Sequence, residues 1–300
     1  MGIGDVAEVD SALLEDCWYV DTGMYDVAGY GAAYLLAGER PAFVETGIGT
    51  NHERVLGLLE VAGVDPEDVA YICPTHVHLD HAGGAGFLAE ACPDAKVAVH
   101  ERGAPHLVDP DRLVAGTKSA VEDQWRYYVE PRPVPPDRIV ALADGDRLDL
   151  GERTLEAVAA PGHAHHQHAF HVPEADAVFT ADAAGLYDPT TDAVHPTTPP
   201  PEFDLEQCLA DVDRLRSLEP AALLYTHFGP APAGDRLERY ARVLREWVDA
   251  VETIAATAET DAEAIEAVVE AHAPTSTWGE EKGRAEARLN ARGVLGYLHR

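Results

Sequence analysis

The chain has 300 residues, 46% of them hydrophobic, which is enough to bury the core of one large domain. Asp and Glu number 53 against 22 Lys and Arg, only three of them lysine (Lys96, Lys118, Lys282), and the formal charge is -31. Carboxylates in this excess keep a surface hydrated in high salt, so a halophilic protein is expected, and they repel a phosphate backbone, which argues against a nucleic-acid partner.

No apolar stretch approaches the roughly 18 residues of a membrane helix. The opening MGIGDVAEVD has no basic segment followed by an apolar run, so the expectation is a cytoplasmic protein with no membrane partner. Cys17, Cys73, Cys92 and Cys208 show no CxxC spacing and are expected to be small buried apolar residues.

Along the chain, AAYLLAG and RPAFVETG read as two strands of a hairpin. NHERVLGLLEVAG reads as a helix with Val55, Leu58, Leu59 and Ala62 on one face, Asn51 as N-cap and Gly63 as stop. VAYIC is a buried strand that runs straight into THVHLDH; FLAEAC then suggests a helix and KVAVH a strand. Residues 101–140 break this pattern with DQWRYYVEPRPVPPDR, an expected lid insertion. Trp125, Arg126, Tyr127 and Tyr128, with the C-terminal GVLGYLHR, are candidate pocket walls, although salt bridges are the commoner use of Arg126 and Arg132 on so acidic a surface.

TLEAVAAPGH and DAVFTAD are two further strand-to-loop transitions. After the Pro-rich HPTTPPPEF, Asp204 and Gln207 make a capping-box pattern before a stripe of Leu205, Leu209, Val212, Leu215 and Leu218. AALLYTHFGP is the last clear strand, and helices follow, the first with Tyr240, Val243, Leu244, Trp247 and Val248 on one face. Residues 1–234 are expected to form one domain and 235–300 a set of helices packed on it.

His76, His78, Asp80 and His81 fall within six consecutive positions. Imidazole nitrogens and carboxylate oxygens are ligands for zinc-type ions, but four of them so close together cannot easily surround one ion. Two ions are the better expectation, and they need further ligands. Three later apolar runs each end in one, at His163, Asp182 and His227, and every cluster lies just past the C-terminal end of a predicted strand.

THVHLDH resembles the HxHxDH signature of the metallo-β-lactamase superfamily, and PGH, TAD and THFGP follow in that superfamily's order over roughly residues 15–230. The resemblance implies an α/β fold, a four-layer αββα metallo-β-lactamase sandwich with a C-terminal helical appendage and its site at one edge between the sheets. It implies that His76, His78 and His163 bind a first metal, Asp80, His81 and His227 a second, and that Asp182 bridges them. Two divalent ions follow, zinc foremost with iron or manganese as alternatives, together with a small-molecule substrate and a chain compatible with a homodimer. Histidine at position 78, with no flavin domain in view, favours the hydrolytic branch over the di-iron oxygen-reducing one. In many relatives an Asp that orients a ligand histidine stands at the position of Glu45, and Gln167 replaces the second His of the glyoxalase II-type PGHTxGH. His165, His166, His168, His171 and His195 exceed the ligand count and are expected to be solvated or to support the ligands from outside, not to be ligands themselves.

The implied reaction is hydrolysis of a thioester, lactone or other ester by a metal-bound hydroxide, as in glyoxalase II-like enzymes. Asp80 would orient the nucleophile and carry a proton, and Tyr187 would donate to the oxyanion. Competing readings are a mononuclear iron sulfur (persulfide) dioxygenase, which uses two His and one Asp, a nuclease of the same superfamily, whose members normally carry an RNA-binding arm or inserted domain that is not evident between these motifs, and a metal-bound binding module without activity. The complete second ligand set favours the hydrolase.

Overall fold

The computed structural model describes residues 1–300. Its first sheet takes seven strands in chain order: β1 (Val6–Glu8), β2 (Cys17–Asp21), β3 (Ala32–Leu36), β4 (Ala42–Val44), β5 (Tyr71–Cys73), β6 (Lys96–His100) and β7 (Ile139–Leu142). The next six strands are β8 (Arg147–Asp149), β9 (Thr154–Ala159), β10 (His168–Val172), β11 (Ala177–Ala181), β12 (Leu186–Asp188) and β13 (Ala193–His195), followed by β14 (Ala222–Tyr225) and β15 (Gly229–Pro232). The second sheet runs β15-β14-β11-β10-β9-β8, and β12 and β13 form a separate ribbon. The helices are α1 (His52–Ala62), α2 (Leu79–Ala82), α3 (Ala85–Ala91), α4 (Ala104–Val108), α5 (Asp111–Val121), α6 (Leu205–Ser217), α7 (Arg236–Ala255), α8 (Asp261–His272) and α9 (Thr275–Leu298).

The layers follow from the period-2 alternation of side chains along each strand. In β3, Tyr34 and Leu36 face the second sheet, where they meet Phe170, Phe179 and Leu224. Ala33 and Leu35 face the other way and pack with Val55, Leu58 and Leu59 of α1 and Leu88 of α3. On the far side, Val178 and Leu223 meet Val212 and Leu215 of α6, and the same cluster takes in Leu244 and Trp247 of α7, Val268 of α8 and Val294 of α9. Three apolar interfaces between four layers are the expected αββα sandwich, with the C-terminal helices on the outer face of the second sheet.

Local sequence signals are realised with two differences. Gly63 ends α1 in the left-handed region (φ 69°) and its N–H returns to the last turn, but the Asn51 amide donates to the Gly23 carbonyl at 3.4 Å instead of capping. Asp204 caps α6 through the Gln207 N–H at 3.0 Å, yet the return half of the capping box is absent. The Asp204 N–H is already bound to the Gly162 carbonyl, so the Gln207 side chain reaches Asp211 at 2.8 Å, and Asp211 accepts from the Gly162 N–H at 2.6 Å. The start of α6 is thereby tied to the loop that carries His163.

Strands β4 to β7 are parallel, and β9, β11 and β14 share one direction. Their C-terminal ends meet along one edge, where His168 N–H donates to Thr75 O (2.9 Å) and Ala32 N–H to Thr226 O (2.7 Å), joining the sheets. Within THVHLDHAGG the closing glycines are steric requirements: a Cβ on Gly84 would lie 2.2 Å from the Thr46 carbonyl oxygen.

Candidate metal centre and its cavity

Each predicted ligand lies directly after a strand of this edge. His76, His78, Asp80 and His81 follow β5, His163 follows β9, Asp182 follows β11 and His227 follows β14. A register shift between Phe179 and Ala181, with Ala181 at φ 49°, turns the end of β11 so that Asp182 enters the edge. The ligand atoms converge in three overlapping groups, His76–His78–His163, His76–His81–Asp182 and Asp80–His81–His227, each within 4.8 Å. All seven predicted ligands are therefore brought together.

The arrangement has two halves joined by one carboxylate. His78 Nδ1 lies 3.0 Å from His76 Nε2 and 3.1 Å from His163 Nε2. Asp182 Oδ2 is 3.0 Å from His163 Nε2 and 3.5 Å from His81 Nε2, while its Oδ1 is 3.6 Å from His227 Nε2. Asp80 Oδ2 lies 3.8 Å from His81 Nε2 and 4.0 Å from His227 Nε2. His81 Nε2 and Asp182 Oδ1 are buried with no hydrogen-bond partner. Ring nitrogens crowded against each other, together with orphaned atoms pointing into one small space, are what a cation would satisfy, and the donor set suits a divalent ion.

Outer contacts fix which nitrogen each ring presents. His81 Nδ1 donates to Glu45 Oε1 at 3.0 Å, and His227 Nδ1 donates to the Tyr30 carbonyl at 2.8 Å, so both direct Nε2 inward. Glu45, fully buried, also accepts from the Thr75 hydroxyl (2.6 Å) and the Thr226 hydroxyl (2.8 Å). Glu45 thus orients the His81 ring through its Nδ1, the role expected of the residue at this position. Gln167 has its own use: its Nε2 donates to Ala160 O at 3.0 Å and its Oε1 accepts the Asp182 N–H at 3.4 Å.

The charges sort accordingly. Burial and the neighbouring His81, His78 and His163 push His76 well below the usual imidazole value, and burial with His163 brings His78 down to about 4. Burial alone would lower His81, but the carboxylates of Glu45, Asp182 and Asp80 hold it well above its usual value. Burial would raise Asp80, yet the imidazoles of His81, His227 and His78 keep its carboxyl below the usual range, as His163 and His81 do for Asp182.

A cavity of about 570 Å³ opens onto His78, Asp80, His163, Asp182 and His227. Its walls come from the 101–140 segment (Arg112, Leu113, Thr117, Tyr128), from Pro199–Glu202 and from α9 (Lys282, Glu286, Leu289, Arg292). Of the expected walls Tyr128 lines the cavity, whereas Trp125, Arg126, Tyr127 and GVLGYLHR do not; α9 instead turns residues of its preceding turns, between Lys282 and Arg292, toward it. Arg126 pairs with Glu281 and Arg132 with Glu90, as an acidic surface dictates, and Trp125 stacks on Tyr128 with ring centroids 5.2 Å apart. Of the surplus histidines, His166 meets the His78 ring edge-on at 5.4 Å, whereas His168 faces His100 at 4.5 Å, the exposed His165 pairs with Glu202, His195 lies against Trp278 at 4.9 Å, and His171 sits within β10 opposite Glu156.

Tyr187 is the one predicted site residue that the structure turns away. Along β12 its neighbour Leu186 faces the cavity, so Tyr187 points to the opposite side. There it stacks on Tyr225 at 5.1 Å and donates to Asp192 at 3.2 Å, within the core beneath α7.

An αββα sandwich with a His/Asp cluster at the C-terminal strand edge is a scaffold that could hold metal ions at that edge. The chain belongs to the metallo-beta-lactamase superfamily, whose profile matches residues 26–227. It is similar to a metallo-beta-lactamase fold-containing protein of Sulfurisphaera tokodaii, 26% identical over 215 residues that cover 70% of this chain and 77% of that one. An acyl-coenzyme A thioesterase of Gallus gallus is 28% identical over 57% of this chain and 63% of its own length. An N-acyl homoserine lactonase of Azorhizobium caulinodans is 29% identical over 45% of this chain and 49% of its own. The chain thus spans about two thirds and one half of these two enzymes. A solved archaeal superfamily protein from Sulfolobus tokodaii superposes with a TM-score of 0.66 at 22% identity, covering 89% of this chain and 93% of that one, which shows the shared fold. No helix is long and apolar enough to cross a membrane.

Proposed function

We propose that this chain is a hydrolase with two divalent ions, zinc foremost, that cleaves a thioester, lactone or other carboxylic ester of a small molecule. The observation that carries the reading is the pair of half-sites joined by Asp182, opening onto a cavity of the size that holds small ligands. A thioesterase and a lactonase among the similar proteins support an ester-type bond. Three imidazoles for one ion, and two imidazoles with a carboxylate for the other, suit zinc.

When bound, the ions supply an acidified water and a Lewis acid for the carbonyl oxygen. The chain does the rest. His76, His78 and His163 would hold one ion and Asp80, His81 and His227 the other, with the Asp182 carboxylate available to both. Asp80 is the partly exposed carboxylate of the set and is kept ionised by its imidazole neighbours. It accepts the proton of the attacking water as the C–O bond forms and returns it to the leaving sulfur or oxygen as that bond breaks. The α5 and α9 walls exclude bulk water and present the acyl or alcohol portion of the substrate.

The test is hydrolysis of a thioester, lactone and aryl-ester panel in high salt by the wild type and Asp182→Ala. Turnover that the variant loses, with its fold intact by circular dichroism, supports the reading; equal turnover by both sinks it.

A further inference from the structure

One wall of the cavity consists of side chains that the ligand set does not use. Met24, Tyr25, Tyr30, Ile48, Leu186 and Trp278 form a small buried cluster with Tyr128 packed against it, and Tyr25, Tyr30, Leu186 and Tyr128 are the members that face the cavity. Tyr25 and Tyr128 meet edge to face at 5.8 Å, their hydroxyls hydrogen-bond to each other, and both residues line the cavity that holds Asp80, Asp182 and His227. Neither hydroxyl has a second protein partner.

Hydrogen-bond accounting then leaves one proton over. Each phenol carries a single O–H and can also accept, so a pair uses one hydrogen between its oxygens and keeps the other free. A free donor at a cavity wall needs an acceptor. Tyr25 is moreover held at φ 57°, ψ 21°, a left-handed conformation that costs a bulky residue about 1–2 kcal/mol. The surroundings hold it there: its ring meets Tyr30 at 5.4 Å, and the Lys282 ammonium sits 4.0 Å over its face.

We propose that the Tyr25–Tyr128 pair is a substrate-contacting donor that gives its spare O–H to the carbonyl oxygen of the scissile group. This deepens the ester-hydrolase reading and rests on it. The bond strengthens as that oxygen gains charge in the transition state, and no proton is transferred. Burial raises both phenols well above their ordinary value, so they remain protonated donors. The overlying ammonium draws electron density from the Tyr25 ring and strengthens its hydroxyl. One partner comes from the loop before β3 and the other from the 101–140 segment, so the donor forms only where these two segments meet.

The accounting makes an unusual prediction for variants, since Tyr25→Phe and Tyr128→Phe each leave one hydroxyl with its own hydrogen. Each single change is expected to lower kcat by less than about 10-fold, whereas the double variant loses about 100- to 1,000-fold with KM within about twofold. Affinity for a phosphonate monoester, a stable mimic of the tetrahedral anion, should fall in step with kcat/KM. Metal content and the thermal midpoint of all three variants are measured alongside. A double variant within about threefold of wild-type kcat overturns the inference, as does a loss that tracks lost metal or an equal loss in KM. A wild type that hydrolyses nothing on the panel overturns the ester-hydrolase reading and this inference together; tyrosine-independent turnover overturns this inference alone.

Discussion

Removing the Glu45 carboxylate should damage the fold and the metal centre by separable amounts. Its Oε1 accepts three donors, Thr75 Oγ1 at 2.6 Å, Thr226 Oγ1 at 2.8 Å and His81 Nδ1 at 3.0 Å, in a fully buried setting. Glu45→Ala strands all three, and a stranded buried donor costs about 1–3 kcal/mol. Rotation of the two threonine hydroxyls recovers part of this, so about 3–5 kcal/mol is expected, a large share of the roughly 5–15 kcal/mol that holds a domain together. Glu45→Gln keeps one acceptor oxygen and should cost about 1–2 kcal/mol. It also removes the negative charge that steers His81, and loss of such an outer-shell partner typically lowers metal affinity about 10- to 100-fold. Denaturant unfolding of the metal-free proteins in molar salt reads the first effect, and competition with a chromogenic chelator reads the second. Glu45→Ala within about 1 kcal/mol of wild type, with unchanged metal affinity, would refute the reasoning.

Three further outcomes are expected. His81 must lose its proton before Nε2 can hold an ion, and its neighbours hold its pKa above the ordinary value. Metal binding should therefore release a proton, and affinity should rise with pH until that raised value is passed; calorimetry in buffers of different ionisation enthalpy shows this, and Glu45→Gln should shrink the release. Burial pushes Asp211 up to about 6, so its contribution to stability is full below its unfolded value near 4 and is lost as pH rises through 6. Asp211→Asn should remove about 2–3 kcal/mol of that downward slope between pH 4 and 6, read from urea midpoints across pH. Gly84→Ala drives a methyl into the Thr46 carbonyl, whose own N–H and hydroxyl hold the His81 carbonyl at 3.0 and 2.7 Å, so about 2–4 kcal/mol of stability and tight metal binding should be lost together in unfolding and chelator assays.

The convergence of the seven candidate ligands is legible in the sequence because ligand-type side chains punctuate the ends of apolar runs, and a strand end is where the chain leaves a sheet at a shared edge. The residues that aim those ligands were harder to read. Thr75 and Thr226 carry a faint signal, since THVHLDH and THFGP both begin Thr-His and both hydroxyls converge on Glu45. Gln167 looks like a lost ligand in the sequence, and only the fold shows it bracing the Asp182 backbone. Tyr187 failed as a sequence inference because distance along the chain from Asp182 says nothing about which face of a two-stranded ribbon a side chain takes. The cavity wall from Lys282 to Arg292 and the Tyr25–Tyr128 contact depend on tertiary packing across more than 100 residues, which no local pattern encodes.

The central claim is a centre of two ions held by seven named side chains, and elemental analysis of protein purified in high salt tests it most directly. About two zinc-like ions per chain are predicted, falling in Asp182→Ala as the shared carboxylate is lost. About one iron per chain, with oxygen consumed in the presence of a persulfide, would contradict the account.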